Sequence, residues 1–597
     1  MSEQTGWTIG EWLNAYRTQE ITPRTALHAL RQQLRMDDPA WIYIFSADEL
    51  DAQLKQLEDA GADALKLPLY GVPFVVKDNI DVAGIPTTAA CPAFSYVADA
   101  DATSVARLRA AGAIVLAKTN LDQFATGLVG TRSPYGPVPN SFNPDYVSGG
   151  SSSGSAVAVA SGLFPFSLGT DTAGSGRVPA GFNNIVGLKP TKGRFSTAGV
   201  VPACRSLDCV SVFALTVNDA ELVAQLVEGF DPTDGYSRTA PAPAQLFTST
   251  PRFGIPAEPV WFGDSESERA WQQSLAQLGE LDVELIPVDF TPMQTLAQLL
   301  YGGPWVAERH AAIAEFMAKH AEAMNPVVRD IIRQAVNFTA TDAYRAEYRR
   351  AELTRTIQMQ MAAVDALLVP TAPRLPTIAD VEANPVVVNS QLGTWTNFVN
   401  LADCSALALP AGFREDGLPF GITLIAPAWQ DAALAEFGKR WTQAISLPLG
   451  ATQRFAPSAP VKNDPPAGYV RLAVVGAHLT GMPLNIQLIE RNARFVESTF
   501  TADCYRLYAL PNTTPPKPGL IRTQEKGAEI IVELWDVPVH HFGSFVALIP
   551  APLGIGTLTL KDGREVKGFI CEGTAVLGAE DITHLGGWRA YIKSRAA

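Results

Sequence analysis

Apolar runs of strand length alternate with amphipathic stretches of helix length over much of the chain. The clearest strand-like runs lie at 73–76, 113–117, 366–369 and 422–425. Residues 264–280 and 304–319 have helical periodicity instead, and the break at Gly302-Gly303-Pro304 sets the start of the second helix. This alternation predicts an α/β architecture in which helices cover both faces of a sheet.

Two short helices are predicted at the start of the chain. Thr8 and Glu11 have the spacing of a capping box, and Thr22 followed by Pro23 fits an N-cap with proline in the first turn. Both are patterns by which a helix begins, because the first turn has no partners of its own for its N–H groups.

A proline-rich segment divides the chain. Residues 455–468, FAPSAPVKNDPPAG, contain four prolines and no apolar periodicity, which is typical of a linker. We therefore expect one large domain over 1–454 and a second over 469–597. Short strand-like runs in the second domain, at 471–475, 530–534, 545–549 and 556–560, predict an α+β fold or a small barrel.

Composition indicates a folded chain with a large core. Of 597 residues, 47% are hydrophobic and 18% are charged, below the roughly 25% charged residues of an average globular chain, which excludes intrinsic disorder. The 46 basic and 60 acidic residues give a formal net charge of −14. Broad binding of nucleic acid or of an anionic membrane is not expected from so acidic a chain, so an anionic substrate would need a local arginine or lysine.

Cysteine usage and the first residues indicate the compartment. The six cysteines form no C-x-x-C pair, so neither a disulfide scaffold nor a cysteine-rich zinc site is expected. The start, MSEQTGWTIGEW, is polar, and the longest nearly apolar run, 156–168, is too short to span a bilayer. These features predict a soluble, cytoplasmic protein.

A glycine–serine block is the most unusual stretch of the chain. It reads SGGSSSGS at 148–155 and is followed by GTDTAGSGRVPA at 169–180. A flexible linker is one interpretation, but the block runs directly into the apolar AVAVASGLFPF. The lysine of a phosphate-binding loop is missing, and no G-x-S-x-G elbow surrounds Ser175. Closely spaced hydroxyls and free backbone N–H groups remain, which is what an oxyanion hole with a serine nucleophile requires.

A serine nucleophile needs a base, and the histidines are poorly placed for that role. None of the seven lies between residues 29 and 309, so a Ser-His-Asp triad would have to recruit a distant one. Lys77 ends the apolar run in GVPFVVKDN. It fits either a surface lysine that begins a loop or, in a dry site, a base whose pKa is lowered from the reference value of about 10.4.

The segments GVPFVVKDN, SGGSSSGS, GTDTAGSGRVPA and GLKPTKGR together resemble the amidase signature family, and weaker matches run along most of residues 1–452. Members hydrolyse amides with a Ser–cis-Ser–Lys triad on a large mixed β-sheet flanked by α-helices. The resemblance implies that Lys77 is the base, Ser151 the bridging serine and Ser175 the nucleophile. No metal or organic cofactor is implied.

The resemblance also implies an oxyanion hole built from the backbone N–H groups of Thr172, Ala173, Gly174 and Ser175. Ala173 stands where relatives commonly have glycine, which narrows the allowed backbone conformations without removing a donor. Ser152 and Ser153 are expected to be structural. Asp171 and Arg177 are expected to form an internal ion pair rather than to contact the substrate.

The segment LYGGPWVAER at 300–309 resembles the substrate-recognition segment of allophanate hydrolases, a group within that family. By that resemblance Tyr301 and Arg309 hold the substrate, a small planar anion whose carboxylate suits the fork of a guanidinium. Arg309 could equally be a solvated charge on an amphipathic helix. The resemblance to this group favours the binding role.

The tail carries a second resemblance. GAHLTGMPLN at 476–485 resembles a segment of the extra C-terminal domain of allophanate hydrolases, and that domain looks distantly like the γ-glutamylcyclotransferase-like fold. HFGSF at 541–545 has no acid to match that fold's catalytic glutamate, so cyclotransferase activity is not expected. His478 is a candidate active residue in a turn that binds small acids, or else a packed histidine. His540 and His541 are expected on the surface.

Together the resemblances imply hydrolysis of allophanate to ammonia and carbon dioxide through an acyl-enzyme, with the C-terminal domain assisting breakdown of N-carboxycarbamate. They also imply that the protein is a homodimer. Its substrate would come from a urea carboxylase or from a triazine-ring pathway. The alternatives are an amidase for another small amide, a transamidase acting on charged tRNA, which the acidic chain disfavours, and an inactive scaffold. Retention of Lys77, Ser151 and Ser175 together disfavours the scaffold.

Overall fold

The computed structural model describes residues 4–241, 246–247, 250–457, 465, 468–511, 513–523 and 525–596. The chain divides into two compact units, Met1–Pro457 and Ser458–Ala597. The predicted linker at 455–468 lies mostly outside the described residues. No helix in the described part of the chain combines the length and the apolar character needed to cross a bilayer.

The first unit is built around a large mixed sheet. Its strands are β1 Trp41–Ile44, β2 Pro73–Lys77, β3 Pro86–Thr87, β4 Tyr96–Val97, β5 Ile114–Thr119, β6 Phe166–Asp171, β7 Val186–Lys189, β8 Cys209–Ala214, β9 Arg252–Pro256, β10 Glu284–Val288, β11 Ala366–Pro370, β12 Cys404–Phe413 and β13 Pro419–Pro427. Within the described residues, eleven of them form one sheet in the order β1-β5-β2-β6-β8-β7-β12-β13-β11-β9-β10, and β3 pairs with β4. The four strands predicted from apolar runs are confirmed as β2, β5, β11 and β13.

Helices surround this sheet, as the α/β prediction requires. They are α1 Ile9–Arg17, α2 Pro23–Gln33, α3 Ala47–Asp59, α4 Thr103–Ala110, α5 Ser153–Ala160, α6 Val178–Phe182, α7 Val217–Val227, α8 Ser265–Gly279, α9 Thr291–Gly302, α10 Trp305–His320, α11 Pro326–Arg333, α12 Ala340–Met361, α13 Ile378–Ala383, α14 Val387–Leu392, α15 Phe398–Leu401 and α16 Asp431–Ile445. The capping box of Thr8 and Glu11 and the N-cap of Thr22 are both present. The two predicted helices are α8 and α10, and the Gly-Gly-Pro break separates α9 from α10.

Strand β2 lies between β5 and β6 and is parallel to both. All three strands are fully buried along their length, which indicates that both faces of the sheet are covered here. Phe74 of β2 faces Phe166 of β6, and the two rings stack with their centroids 5.2 Å apart. Because parallel strands end at the same edge of a sheet, Lys77 at the end of β2 lies beside Thr170 at the end of β6.

The second unit has an α+β fold. Its elements are β14 Tyr469–Val474, α17 Ile486–Ile489, β15 Arg494–Phe500, β16 Tyr505–Ala509, β17 Pro518–Arg522, β18 Ile531–Pro538, α18 Val539–Val546, β19 Leu553–Thr559, β20 Glu565–Cys571, β21 Glu580–Asp581 and α19 Trp588–Ala596. In the described residues, one sheet has the order β15-β18-β14-β20-β19 and a smaller one the order β17-β16-β21.

One predicted strand of this unit is wrong. The run at 545–549 contains the end of α18 rather than a strand. Phe542 and Phe545 lie three residues apart in α18, as on a helical face, and both pack in the core of this unit. A five-residue apolar run is too short for periodicity to separate helix from strand, whereas the other three predicted strands are present as β14, β18 and β19.

Candidate active site

Lys77 is a fully buried lysine at the end of β2. Its Nζ donates hydrogen bonds to Ser151 Oγ and to Thr170 Oγ1, both at 2.7 Å. Both partners are hydroxyls, so no hydrogen-bonded carboxylate holds the proton on the amine. Burial lowers the pKa of Lys77 to about 7, against the opposing charges of Asp122, Asp208 and Asp171. The side chain can therefore accept a proton near neutral pH.

Ser151 belongs to a glycine–serine block that is buried rather than flexible. Ser148, Ser151, Ser152, Ser153 and Ser155 have no exposed surface, so the linker interpretation is wrong. The peptide bond between Gly150 and Ser151 is cis. Ser152 fixes the block to β6, because its Oγ donates to the carbonyl of Thr170 at 3.1 Å and accepts from the N–H of Thr170 at 3.3 Å.

The loop that carries Ser175 is shaped by a buried ion pair. Asp171 accepts hydrogen bonds from Arg177 Nε and Nη2, both at 2.9 Å, and neither side chain is exposed. The same carboxylate accepts the N–H groups of Gly174 and Gly176 at 3.0 Å each. The prediction of an internal ion pair is confirmed. Ser175 lies between the two tethered glycines and is 3% exposed.

In this geometry one of the four predicted oxyanion-hole donors has an acceptor within the protein. The N–H of Gly174 donates to Asp171 at 3.0 Å. Among the hydrogen bonds of the described residues, the N–H groups of Thr172, Ala173 and Ser175 have no acceptor. Asp171 therefore leaves three of the four predicted donors free.

Arg309 is buried rather than solvated, being only 2% exposed. Its Nη1 donates to Thr126 Oγ1 at 3.0 Å, its Nη2 donates to the Tyr301 hydroxyl at 3.4 Å, and its guanidinium carbon lies 5.1 Å from the centre of the Tyr301 ring. Its Nε is buried without an acceptor. Tyr301 in turn packs against the apolar cluster of which Ala173 is also a member. The charge of Asp208 acts on Arg309, and Asp208 accepts a hydrogen bond from the hydroxyl of Thr172 in the Ser175 loop.

In the C-terminal unit, His478 follows β14 and lines a cavity of about 220 Å³ together with Gln487 and Lys517. Its Nε2 lies 3.0 Å from Gln487 Oε1, and its ring stacks on Phe569 at 5.0 Å. Burial lowers the pKa of His478 below its ordinary value. The imidazole packs against Phe569 on one side, as a packed histidine would, and faces the cavity on the other, as an active residue would.

The two remaining C-terminal histidines differ in exposure. His540 is exposed, as expected, whereas His541 is half-buried. Their rings lie 4.2 Å apart.

Comparison with known proteins assigns the family. Residues 27–435 match the family model of amidases, and residues 470–593 match the model of the allophanate hydrolase C-terminal domain. The chain belongs to the amidase family. The urea amidolyase of Lachancea kluyveri is 47% identical over 608 residues, which cover 98% of this chain and 33% of that protein.

Two solved structures extend this comparison over the full chain. Selenomethionine-substituted Kluyveromyces lactis allophanate hydrolase is similar with a TM-score of 0.83 and 46% identity, covering 99% of this chain and 100% of that one. Urea amidolyase from the same yeast is similar with a TM-score of 0.83 and 45% identity, covering 100% of this chain and 37% of that one. The chain therefore spans about a third of the length of the urea amidolyases it matches.

Two residues of this candidate site were missed by sequence reasoning. Thr170 is the second partner of Lys77, and a signal for it existed, because parallel pairing of GVPFVVK with FSLGTD would place it beside the lysine. Thr126, the partner of Arg309, had no such signal. It comes from an irregular segment 183 residues away in sequence.

Proposed function

We propose that the chain hydrolyses allophanate, urea-1-carboxylate, to ammonia and carbon dioxide. The observation that carries the proposal is the buried guanidinium of Arg309, whose Nε lacks an acceptor. Asp208 and Glu308 act on its charge, but neither forms a salt bridge with it among the described residues. A buried donor without an acceptor is costly unless a ligand supplies one, and an anion suits a guanidinium. The similarity to a protein named allophanate hydrolase supports allophanate as that anion.

In the proposed first step, neutral Lys77 takes a proton through Ser151 as Ser175 Oγ attacks the terminal amide carbonyl. The distance of 2.7 Å between Lys77 Nζ and Ser151 Oγ supports the first link of this relay. The free N–H groups of Thr172, Ala173 and Ser175 stabilise the tetrahedral oxyanion. The C–N bond then breaks, and the proton returns by the same route to the leaving ammonia.

In the second step, water attacks the acyl-enzyme on Ser175, and N-carboxycarbamate leaves. Lys77 and Ser151 serve again, first to take the proton of the water and then to return it to Ser175 Oγ. The product takes up protons from the solvent and breaks down to a second ammonia and two molecules of carbon dioxide. In the two hydrolytic steps every proton move uses Lys77, Ser151 and Ser175, so these steps call for no metal or organic cofactor.

The test of the proposal is steady-state release of ammonia from allophanate, compared with malonamate, biuret and a simple aryl amide. We expect allophanate to have the highest kcat/KM of the panel, since it alone pairs a carboxylate with a reactive terminal urea amide. A higher kcat/KM for an uncharged amide would overturn the choice of substrate and favour an amidase for another small amide.

Arg309→Ala is expected to reduce kcat/KM for allophanate much more than for an uncharged small amide. Loss of one partner from a desolvated charge pair costs about 2–5 kcal/mol, or roughly 30- to 4,000-fold. Arg309→Lys is the matched control, because it keeps the charge and loses the fork. We expect it to recover only part of the loss. Equal losses on charged and uncharged substrates would instead assign Arg309 a structural role.

For the C-terminal unit, we propose that it promotes breakdown of N-carboxycarbamate, with His478 as the active group. The cavity beside His478 and the cation of Lys517 on its wall suit a small anion. His478→Ala, and truncation after residue 457, are expected to leave the first ammonia intact and to slow release of the second ammonia and of carbon dioxide. Time courses of both products measure this, and identical courses in all three proteins would make the unit a scaffold.

We further propose that the chain acts as a cytoplasmic homodimer. The cysteines, all of which lie in the described residues, are free thiols, which suits a reducing compartment. An enzyme that carboxylates urea, or one that opens a triazine ring, would supply the substrate. The urea amidolyases are about three times as long as this chain, which leaves room in them for a urea-carboxylating part and favours the first source. Sedimentation equilibrium of the purified chain tests the dimer.

A further inference from the structure

Asp122 is a fully buried carboxylate that the proposed reaction does not use. Its Oδ2 accepts hydrogen bonds from the N–H groups of Val129 at 3.1 Å and Gly130 at 3.0 Å, and its Oδ1 accepts from the N–H of Arg132 at 2.9 Å. No basic side chain in the described part of the chain lies within salt-bridge distance of it. Three backbone donors thus take the place of a counter-ion.

The same residue holds the bridging serine in place. The N–H of Asp122 donates to the carbonyl of Ser151 at 3.0 Å. A Cβ added to Gly150 would lie only 2.1 Å from Asp122 Oδ2, and one added to Gly127 would lie 2.5 Å away. The backbone before Ser151 is therefore packed directly on the carboxylate, and the two glycines are needed for that approach.

Three carboxylates act on Lys77, and they differ in how far their charge is compensated. Asp171 is paired with Arg177. Burial raises the pKa of Asp208 to about 6, so its charge is lost as the pH falls through about 6. Asp122 forms no salt bridge in the described part of the chain, although its charge also acts on the buried Arg132. Of the three carboxylates, Asp122 has the strongest effect on Lys77.

We propose that Asp122 is a positioning residue for amide hydrolysis, which fixes Ser151 beside Lys77 and supplies the main negative field that this pair experiences. The inference rests on the proposed hydrolytic step and not on the identity of the substrate. Among the described residues Asp122 makes no hydrogen bond or salt bridge with Lys77 or Ser175, so it acts through Ser151 and through its charge.

The experiment is the pH dependence of kcat/KM in Asp122→Asn, with malonamate as the substrate because it lacks an acid-labile N-carboxylate. Removal of a negative charge favours the neutral form of Lys77, so the acid limb should move to lower pH by roughly one unit. Displacement of Ser151 should also lower the plateau, by roughly 10- to 100-fold. Circular dichroism and thermal melts check that the variant folds.

Asn389→Ala is the matched control. Asn389 Oδ1 accepts the N–H of Leu128 at 2.7 Å, so this change loosens the same loop without altering any charge. We expect a lower plateau with an unmoved acid limb. An unmoved or raised acid limb in Asp122→Asn overturns the proposal.

Should Asp122→Asn fail to fold, Asp122→Ser removes the same charge and keeps one hydroxyl acceptor. The same shift of the acid limb of kcat/KM to lower pH is expected for it. A wild type that cleaves malonamate but not allophanate overturns the proposed substrate and leaves the positioning role of Asp122 intact. The two failures are thus distinguishable.

Discussion

Ser175→Ala is expected to abolish ammonia release from allophanate, by roughly 10⁴- to 10⁶-fold in kcat. In the proposed reaction the hydroxyl is the group that forms the bond to carbon. The fold should persist, because the loop is held by Asp171, Arg177 and the N–H groups of Gly174 and Gly176 rather than by the serine side chain. Steady-state ammonia release and a thermal melt measure the two effects separately.

Ser153→Ala is the control for this variant. Ser153 is equally buried in the glycine–serine block, and its Oγ makes a single long hydrogen bond of 3.4 Å to the carbonyl of Asn120. We expect it to retain most of the wild-type activity. Substantial turnover by Ser175→Ala would refute the choice of nucleophile, and equal losses in both variants would point to packing of the block instead.

The sequence predicted the parts of this site that consist of motifs. The apolar run before Lys77 predicted a strand, and β2 is that strand. The glycines around Ser151 and Ser175 indicated backbone that approaches other groups closely, and the space around Gly150 shows that this is required. These features are local, so a linear pattern can carry them.

Features that depend on distant contacts could not be predicted in the same way. The helical pattern around Arg309 is the same whether the guanidinium faces water or the protein interior. In the structure the guanidinium donates to Thr126, which is far away in sequence. Likewise, the motif presents Gly174 as one of four equivalent donors, and only the position of the Asp171 carboxylate shows that its N–H is already used. In the C-terminal unit, the strand predicted at 545–549 is wrong because a five-residue apolar run is too short to show whether its period is that of a helix or of a strand.

Lys77→Met is expected to lower kcat for allophanate by roughly 10²- to 10⁴-fold, because it removes the proposed general base while filling most of the same volume. In the wild type, the neutral amine is the active form and burial lowers the pKa of Lys77 to about 7. Activity on malonamate should therefore rise with pH through about 7 and be lost below it. The variant should lose this limb together with most of its rate.

Lys118→Met is the control that distinguishes a lysine acting as a base from a buried lysine that only stabilises the fold. Lys118 is also fully buried, on the neighbouring strand β5, but its Nζ lies 3.1 Å from a carboxylate oxygen of Asp78. Its removal leaves a buried charge without its partner, which costs about 3–5 kcal/mol of stability. Lys77 is hydrogen-bonded to two hydroxyls, so its loss breaks no salt bridge, and Lys77→Met should melt closer to the wild type than Lys118→Met. An active Lys77→Met enzyme that keeps the acid limb near pH 7 would show that another group is the base, whereas loss of folding in Lys77→Met alone would show that the buried amine is structural.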